Sequence, residues 1–107
     1  MTPARILVVD DDDNLRWVLQ TQLEEMGYSV VTASGGEAAL AEMDREPPSL
    51  VLTDWKMPGM SGIDLLDRMR HLHPEIPAVI ITAFGSIQSA VDAMRATGAR
   101  ARQPSPR

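Results

Sequence analysis

Apolar residues gather in four short runs along the chain, and longer stretches of mixed polarity separate them. The runs are Arg5–Val9, Ser29–Thr32, Leu50–Thr53 and Ala78–Thr82. Short runs rich in β-branched residues, with polar or turn residues at both ends, are typical of buried strands. The pattern therefore predicts four strands.

The stretches between and after these runs place apolar residues three or four positions apart, which indicates helices. Helices are predicted over Asn14–Met26, from Ser34 to about Asp44, from Ile63 to Leu72, and over Ser86–Ala96. The predicted apolar face of the first helix comprises Leu15, Val18, Leu19, Leu23 and Met26. Gly27 should end that helix. Ser34 and Glu37 have the spacing of a capping box for the second.

Strands and helices alternate regularly in this prediction. Such alternation is typical of an α/β fold in which parallel strands form one doubly wound sheet with helices on both faces. In open sheets of this kind, ligands bind beyond the carboxyl ends of the strands. The residues that directly follow each strand are therefore the first candidates for a functional site.

Three of the predicted strands lead into polar side chains that suit one site. Asp10 and Asp11 follow the first strand, Asp54 follows the third, and Thr82 ends the fourth. Converging carboxylates repel one another, and Mg²⁺ would relieve that repulsion because it prefers oxygen ligands. A remaining carboxylate could then attack phosphorus. Alternatively, Asp10–Asp13 is only a solvated turn that caps the next helix.

Charge and composition narrow the classes of function. The net charge of −5 argues against direct contact with nucleic acid, and the absence of cysteine excludes disulfides and thiolate sites. No apolar run reaches the roughly 20 residues that span a bilayer, so no membrane contact and a cytoplasmic location are predicted. His71 and His73 do not share a helical face, so no metal site is expected there.

Three segments carry a resemblance to a known family: ILVVDDD at Ile6–Asp12, LVLTDWKMPGMSG at Leu50–Gly62 and AVIITAFGS at Ala78–Ser86. They resemble the receiver domains of two-component response regulators. RWVL at Arg16–Leu19 and GSIQSAVDAM at Gly85–Met94 look most like receivers of nitrogen-regulator-type, enhancer-binding activators. The resemblance implies a flavodoxin-like (CheY-like) fold with strand order 2-1-3-4-5 and a sensor histidine kinase as phosphoryl donor.

The resemblance also implies roles for individual residues. Asp54 would be the phosphoacceptor, Asp11 a direct Mg²⁺ ligand, and Asp10 a support of the ion, partly through water. Asp54 itself and the backbone carbonyl of Lys56 would complete the protein ligands. Thr82 would supply the hydroxyl that moves to bond the phosphoryl group, and Ala83 would be the small residue that leaves room above the site.

The chain departs from the family pattern at its carboxyl end. Receivers have a fifth strand that ends in Lys-Pro and then a fifth helix, whereas Gly98–Arg107 is basic, holds two prolines and has no strand pattern. Lys56 is the only lysine, so the phosphate-binding lysine is absent. We therefore expect an incomplete receiver over residues 1–97 with strand order 2-1-3-4, an atypical tail over 98–107, and dimerisation or strand exchange.

Two alternatives remain open. Asp10-x-Asp12 after a first strand also resembles the nucleophile motif of haloacid-dehalogenase-type phosphatases, although that family needs a distant lysine and a later acidic pair. The second alternative is a receiver-like interaction module that the missing lysine uncouples from phosphorylation. Phosphoryl transfer to Asp54 would support the receiver, and rapid turnover of a phosphomonoester would support the phosphatase.

Overall fold

Four strands and three helices alternate in the computed structural model, which describes residues 4–81. The elements are β1 (Arg5–Val9), α1 (Asp13–Glu25), β2 (Ser29–Ala33), α2 (Gly36–Arg45), β3 (Leu50–Asp54), α3 (Gly62–Leu72) and β4 (Ala78–Ile81). Their order is the predicted one. The predicted helix over Ser86–Ala96 and the atypical tail lie outside the described residues.

The strands form one parallel sheet in the order β2-β1-β3-β4, which confirms the predicted order of these four strands. β1 and β3 lie in the interior and pair in register, with Val9 opposite Thr53. Both strands are almost entirely buried, as expected for parallel strands covered by helices on both faces. Their carboxyl ends therefore emerge side by side.

Two hydrophobic layers hold the sheet between the helices. One face of β1 and β3 packs against α2 and α3, and its central residues are Leu7, Val9, Val51, Met43 and Leu65. The opposite face packs against α1 through Ile6, Val8, Leu50, Leu52, Leu19 and Leu23. Because successive strand residues point to opposite faces, the apolar runs of the sequence supply both layers at once.

The buried stripe of α1 is narrower than predicted. Leu19 and Leu23 are buried and Leu15 packs beside them, but Val18 is 36% exposed and Met26 is 44% exposed. The prediction was therefore wrong for Val18 and Met26. Leu15, Leu19 and Leu23, which are four positions apart, face the sheet. Val18 and Met26 each lie three positions after one of these residues and therefore point to the side of that face.

The ends of α1 follow from local backbone chemistry. The carboxylate of Asp12 accepts hydrogen bonds from the backbone N–H groups of Asn14 (2.9 Å) and Leu15 (3.1 Å), which caps the amino end. At the other end Gly27 has a φ of 98°, a left-handed conformation that glycine adopts without strain. The predicted stop at Gly27 is confirmed.

The predicted capping box of α2 is wrong. The N-cap of α2 is Gly35, which has no side-chain bond, so Ser34 lies one residue too early to cap. A reciprocal capping box forms at α3 instead, where the hydroxyl of Ser61 accepts from the N–H of Asp64 at 3.1 Å and the carboxylate of Asp64 accepts from the N–H of Ser61 at 3.2 Å.

Candidate functional site

Three carboxylates meet at the carboxyl end of the sheet. Asp10 and Asp11 directly follow β1, and Asp54 is the last residue of β3. One oxygen from each of the three lies within 4.8 Å of the others. The in-register pairing of the two strands brings these residues together, so the structure confirms that the predicted acidic residues converge.

Asp10 is the buried member of the cluster, with 1% of its surface exposed. Its Oδ1 accepts a hydrogen bond from the N–H of Asp12 at 2.8 Å, whereas its Oδ2 has no hydrogen-bond partner among residues 4–81. Burial raises the pKa of Asp10, the negative charges of Asp54, Asp11 and Asp12 raise it further, and the bond from Asp12 opposes the change.

Asp54 is half-buried and presents one engaged and one free oxygen. Its Oδ1 accepts a hydrogen bond from the N–H of Trp55 at 2.9 Å. No donor among residues 4–81 bonds to its other oxygen, and the same is true of both oxygens of the exposed Asp11. Two carboxylates of the cluster thus retain oxygens that can take up a cation or react.

Arg16, which no sequence pattern assigned to the site, holds the β1–α1 turn. The guanidinium of Arg16 donates to the backbone carbonyl oxygen of Asp10 at 2.8 Å and to the carboxylate of Asp13 at 2.5 Å. The sequence showed a basic residue three positions after Asp13, a spacing at which helical side chains meet. It gave no sign of the bond to Asp10.

The turn between β3 and α3 needs a glycine at position 62. A Cβ placed there would lie 2.4 Å from the carbonyl oxygen of Asp54 and 2.8 Å from the Cα of Trp55. The N–H of Gly62 also donates to the carbonyl oxygen of Trp55 at 2.9 Å. The amino end of α3 therefore packs directly against the backbone that carries Asp54.

Lys56, Thr82 and Ala83 are the remaining predicted site residues. Lys56 is exposed, and its ammonium lies 5.6 Å from the centre of the Trp55 ring, within the range of a cation–π contact. Thr82 and Ala83 lie outside the described residues. Ile81, which precedes Thr82 in the sequence, pairs in register with Asp54.

The two histidines make separate contacts. His71 Nδ1 lies 3.0 Å from the carbonyl oxygen of Asp67, and His73 Nε2 lies 2.8 Å from Oδ1 of Asp44. The second contact joins the end of α3 to α2. Both rings are thus engaged with different neighbours.

The donor set at the sheet edge fits Mg²⁺. The side chains of the cluster all offer carboxylate oxygens, and hard divalent cations prefer oxygen ligands. The unpartnered Oδ2 of Asp10 is the strongest sign, because buried polar atoms in native proteins nearly always have a partner. A cation beside it would also offset the repulsion that raises the pKa of Asp10.

Comparison with known families identifies the family to which the chain belongs. The family model of the response regulator receiver domain matches residues 6–101 of the chain. The chain belongs to this family. The receiver's described strand order and its acidic cluster agree with the resemblance carried by the three sequence segments.

Individual relatives of the receiver agree. Over 88 residues it is 39% identical to the DNA-binding transcriptional regulator NtrC of Salmonella typhimurium, with 82% of this chain and 19% of that protein covered. Over 92 residues it is 42% identical to the response regulator protein FleR of Pseudomonas aeruginosa, with 86% and 20% covered. The chain spans about a fifth of the length of these curated relatives.

Solved structures give the same fold. The receiver domain of NtrX from Brucella abortus superposes with a TM-score of 0.70 at 38% identity, with 84% of this chain and 77% of that chain covered. The chemotaxis protein CheY4 of Vibrio cholerae superposes with a TM-score of 0.73 at 27% identity, with 91% and 82% covered. Within residues 4–81 of this receiver, no helix has the length and apolar character needed to cross a membrane.

Proposed function

We propose that this receiver accepts a phosphoryl group on Asp54 from a sensor histidine kinase, with Mg²⁺ as cofactor. The observation that carries the proposal is the buried Oδ2 of Asp10, which lies in a cluster of three carboxylates and has no hydrogen-bond partner in the described part of the chain. Leaving a buried acceptor unpaired is unfavourable. A cation that binds when the receiver functions would pair with this oxygen, which explains why the described part of the fold leaves it free.

Asp54 is suited to act as the nucleophile. The N–H of Trp55 fixes one carboxylate oxygen and leaves the other available. In the proposed reaction this free oxygen forms a bond to phosphorus while the bond from phosphorus to the donor's imidazole nitrogen breaks. The imidazole nitrogen keeps the electron pair and takes a proton from solvent. The product is a phosphorylated Asp54 and a neutral histidine on the kinase.

The acidic cluster would hold the cofactor. We assign Asp11 and Asp54 as direct Mg²⁺ ligands, Asp10 as a support, and the backbone carbonyl of Lys56 as a further ligand. When bound, Mg²⁺ would offset negative charge on the carboxylates and on the incoming phosphoryl group. The exposed carboxylate of Asp11 and the closeness of the Asp10, Asp11 and Asp54 carboxylates support these assignments.

Thr82 and Ala83 complete the proposed site. We assign Thr82 as the hydroxyl that bonds the phosphoryl group and Ala83 as the small residue that leaves room above the site. The support is that Ile81, the residue before Thr82 in the sequence, pairs with Asp54, and that ligands of open parallel sheets bind beyond the carboxyl ends of the strands.

Intact-mass measurement after treatment with a small phosphodonor and Mg²⁺ tests the proposal. We expect one added phosphoryl group on the unaltered chain, none on Asp54→Asn, and none after chelation of Mg²⁺. Asp67→Asn is a matched control, because Asp67 is an exposed aspartate on α3 away from the cluster. Addition that persists in Asp54→Asn would contradict the assignment of the acceptor, and multiple turnover of a phosphomonoester would favour the phosphatase.

A second candidate function is an interaction module that phosphorylation no longer switches. It is favoured by Lys56, which is the only lysine of the sequence and lies over Trp55. Without a lysine contact the phosphoryl group loses one charge-assisted bond, on the order of 1.5–3 kcal/mol of differential binding. Amide spectra recorded with and without beryllofluoride, a mimic of the phosphoryl group, distinguish the two functions. Small changes over residues 84–94 favour the interaction module, and large saturating changes favour a working switch.

The setting of the receiver is also part of the proposal. Relatives described as transcriptional regulators suggest that it serves transcriptional control in the cytoplasm, with its domain boundary near residue 97 and no direct contact with nucleic acid or membrane. The net charge of −5 supports the absence of a nucleic-acid face. Self-association through a dimer or strand exchange remains our proposal.

A further inference from the structure

Arg16 reaches from the first turn of α1 back to the end of β1. Its Nη1 donates to the backbone carbonyl oxygen of Asp10 at 2.8 Å, and its Nη2 donates to the carboxylate of Asp13 at 2.5 Å. The side chain is only 19% exposed. A planar guanidinium that makes two directed contacts fixes its partners more firmly than a single flexible contact would.

The contact with Asp10 acts on the peptide unit that leads into Asp11. The carbonyl oxygen of Asp10 and the nitrogen of Asp11 belong to one planar group, so fixing the oxygen fixes the direction in which Asp11 leaves the strand. The carboxylate of Asp11 is exposed and has no hydrogen-bond partner within residues 4–81. Its place beside Asp10 and Asp54 therefore depends on the backbone.

We infer that Arg16 is a positioning residue for the Mg²⁺ site: it holds the Asp10–Asp11 peptide so that the carboxylate of Asp11 stays beside those of Asp10 and Asp54. The inference rests on the proposed function, because it presumes that these carboxylates bind the ion. Arg16 does not itself contact the ion, since its guanidinium is engaged with the carbonyl oxygen of Asp10 and with Asp13.

If Arg16 acted only through its charge, its removal would have the opposite effect on Mg²⁺ binding from the loss of a positioning residue. A guanidinium near the site repels a divalent cation, so its loss would strengthen binding of Mg²⁺ if charge were its only influence. Loss of positioning would weaken binding. The direction of the change in affinity therefore separates the two roles.

The test is a Mg²⁺ titration of the full chain that follows the fluorescence of Trp55 in a Trp17→Phe background. We expect Arg16→Gln to weaken Mg²⁺ binding about 10-fold, as is usual when the support of a metal ligand is removed. Arg45→Gln is the matched control, because Arg45 pairs with Glu42 on α2. It should leave the affinity unchanged.

Two further variants separate the contacts that Arg16 makes. Arg16→Lys keeps the charge but cannot make both bonds, so its affinity should fall between those of the unaltered chain and Arg16→Gln. Asp13→Asn removes the ion pair and keeps the bond to Asp10, so it should weaken binding less than Arg16→Gln. If Asp13→Asn reproduces the whole loss, the bond to Asp10 is not the cause and the inference fails.

A readout without metal completes the test. In the metal-free chain, the amide of Asp12, which donates to Oδ1 of Asp10, should exchange faster with solvent in Arg16→Gln than in Arg45→Gln, since the turn that carries it has lost an anchor. Unchanged exchange together with unchanged or tighter Mg²⁺ binding would overturn the inference and leave the proposed function intact. Failure of the unaltered chain to bind Mg²⁺ would overturn both.

Discussion

The carboxylate of Asp10 is buried, and no donor among the described residues bonds to one of its oxygens. Burial and the neighbouring negative charges raise its pKa, so the charged form is unfavourable in the metal-free fold. The same charge is what a divalent cation requires. We therefore expect the residue that destabilises the metal-free chain to be the one that attracts Mg²⁺.

Asp10→Asn should therefore stabilise the metal-free chain at neutral pH. An acid with a raised pKa binds its proton more tightly in the folded chain than in the unfolded chain. Stability then falls as pH rises from the ordinary value of 3.8 through the higher folded pKa. The gain in the free energy of unfolding from Asp10→Asn should grow across that pH range and reach roughly 1–3 kcal/mol at higher pH. Urea unfolding at several pH values without Mg²⁺ measures it.

Asp67→Asn is the control for this effect, because it makes the same chemical change at an exposed position of α3. Asp67→Asn should show no comparable gain in stability at pH values above the range in which Asp10 titrates. Asp10→Asn should also weaken Mg²⁺ binding, since the variant removes a negative charge from the cluster. A loss of metal-free stability in Asp10→Asn at neutral pH would contradict our account of the buried carboxylate.

At the scale of the elements, the start of α3 carries a cap that the start of α2 lacks. Ser61→Ala should lower the free energy of unfolding by about 1 kcal/mol, because it removes the acceptor for the N–H of Asp64. Ser34→Ala is a matched control, since Ser34 is exposed and precedes the actual N-cap of α2. Equal losses in chemical denaturation would show that the capping box of α3 contributes little.

Gly62 and Gly36 are both the first residues of helices, but a methyl group would meet different neighbours at each. At Gly62 it would press on the carbonyl oxygen of Asp54, whereas at Gly36 it would meet the flexible side chain of Met60. We expect Gly62→Ala to cost roughly 1–3 kcal/mol and to weaken Mg²⁺ binding, because α3 or Asp54 must shift. Gly36→Ala should do neither.

Denaturation and the Trp55 titration check this pair of variants. Gly62→Ala with unchanged stability and unchanged Mg²⁺ binding would mean that the β3–α3 turn adapts without moving Asp54. A large loss in Gly36→Ala would mean that Met60 is held more rigidly than its side chain suggests.

At the scale of the whole molecule, β1 and β3 each pair with two strands, whereas among the described strands β4 pairs only with β3. The tail 98–107 has no strand pattern and holds two prolines. If no later segment of the same chain pairs with β4, it is an apolar edge that favours pairing with another chain, so we predict a dimer or strand exchange, for which a two-fold arrangement is the commonest solution. Sedimentation at several concentrations measures this. A single monomer mass with a cooperative melt at high concentration would contradict it.

The sequence by itself was sufficient for the alternation of strands and helices and for the three carboxylates at one edge, whereas the strand order was implied only by the resemblance to the receiver family. The alternation and the carboxylate cluster depend on repeated local patterns: apolar runs that must be buried, helical spacing between them, and polar residues where each run ends. Asp10, Asp11 and Asp54 are marked in the sequence by their places after β1 and within β3, and parallel pairing then brings them together.

Only the tertiary structure decided the finer features, because they depend on contacts between segments or on small shifts of an element. A one-residue difference in the start of α2 removed Ser34 from its predicted role, and contact with a single face of the sheet left Val18 and Met26 partly exposed. The path of the β1–α1 turn leaves one oxygen of Asp10 without a partner among the described residues and brings Arg16 within hydrogen-bonding distance of the Asp10 carbonyl oxygen. No spacing of residue types in the sequence specifies that path.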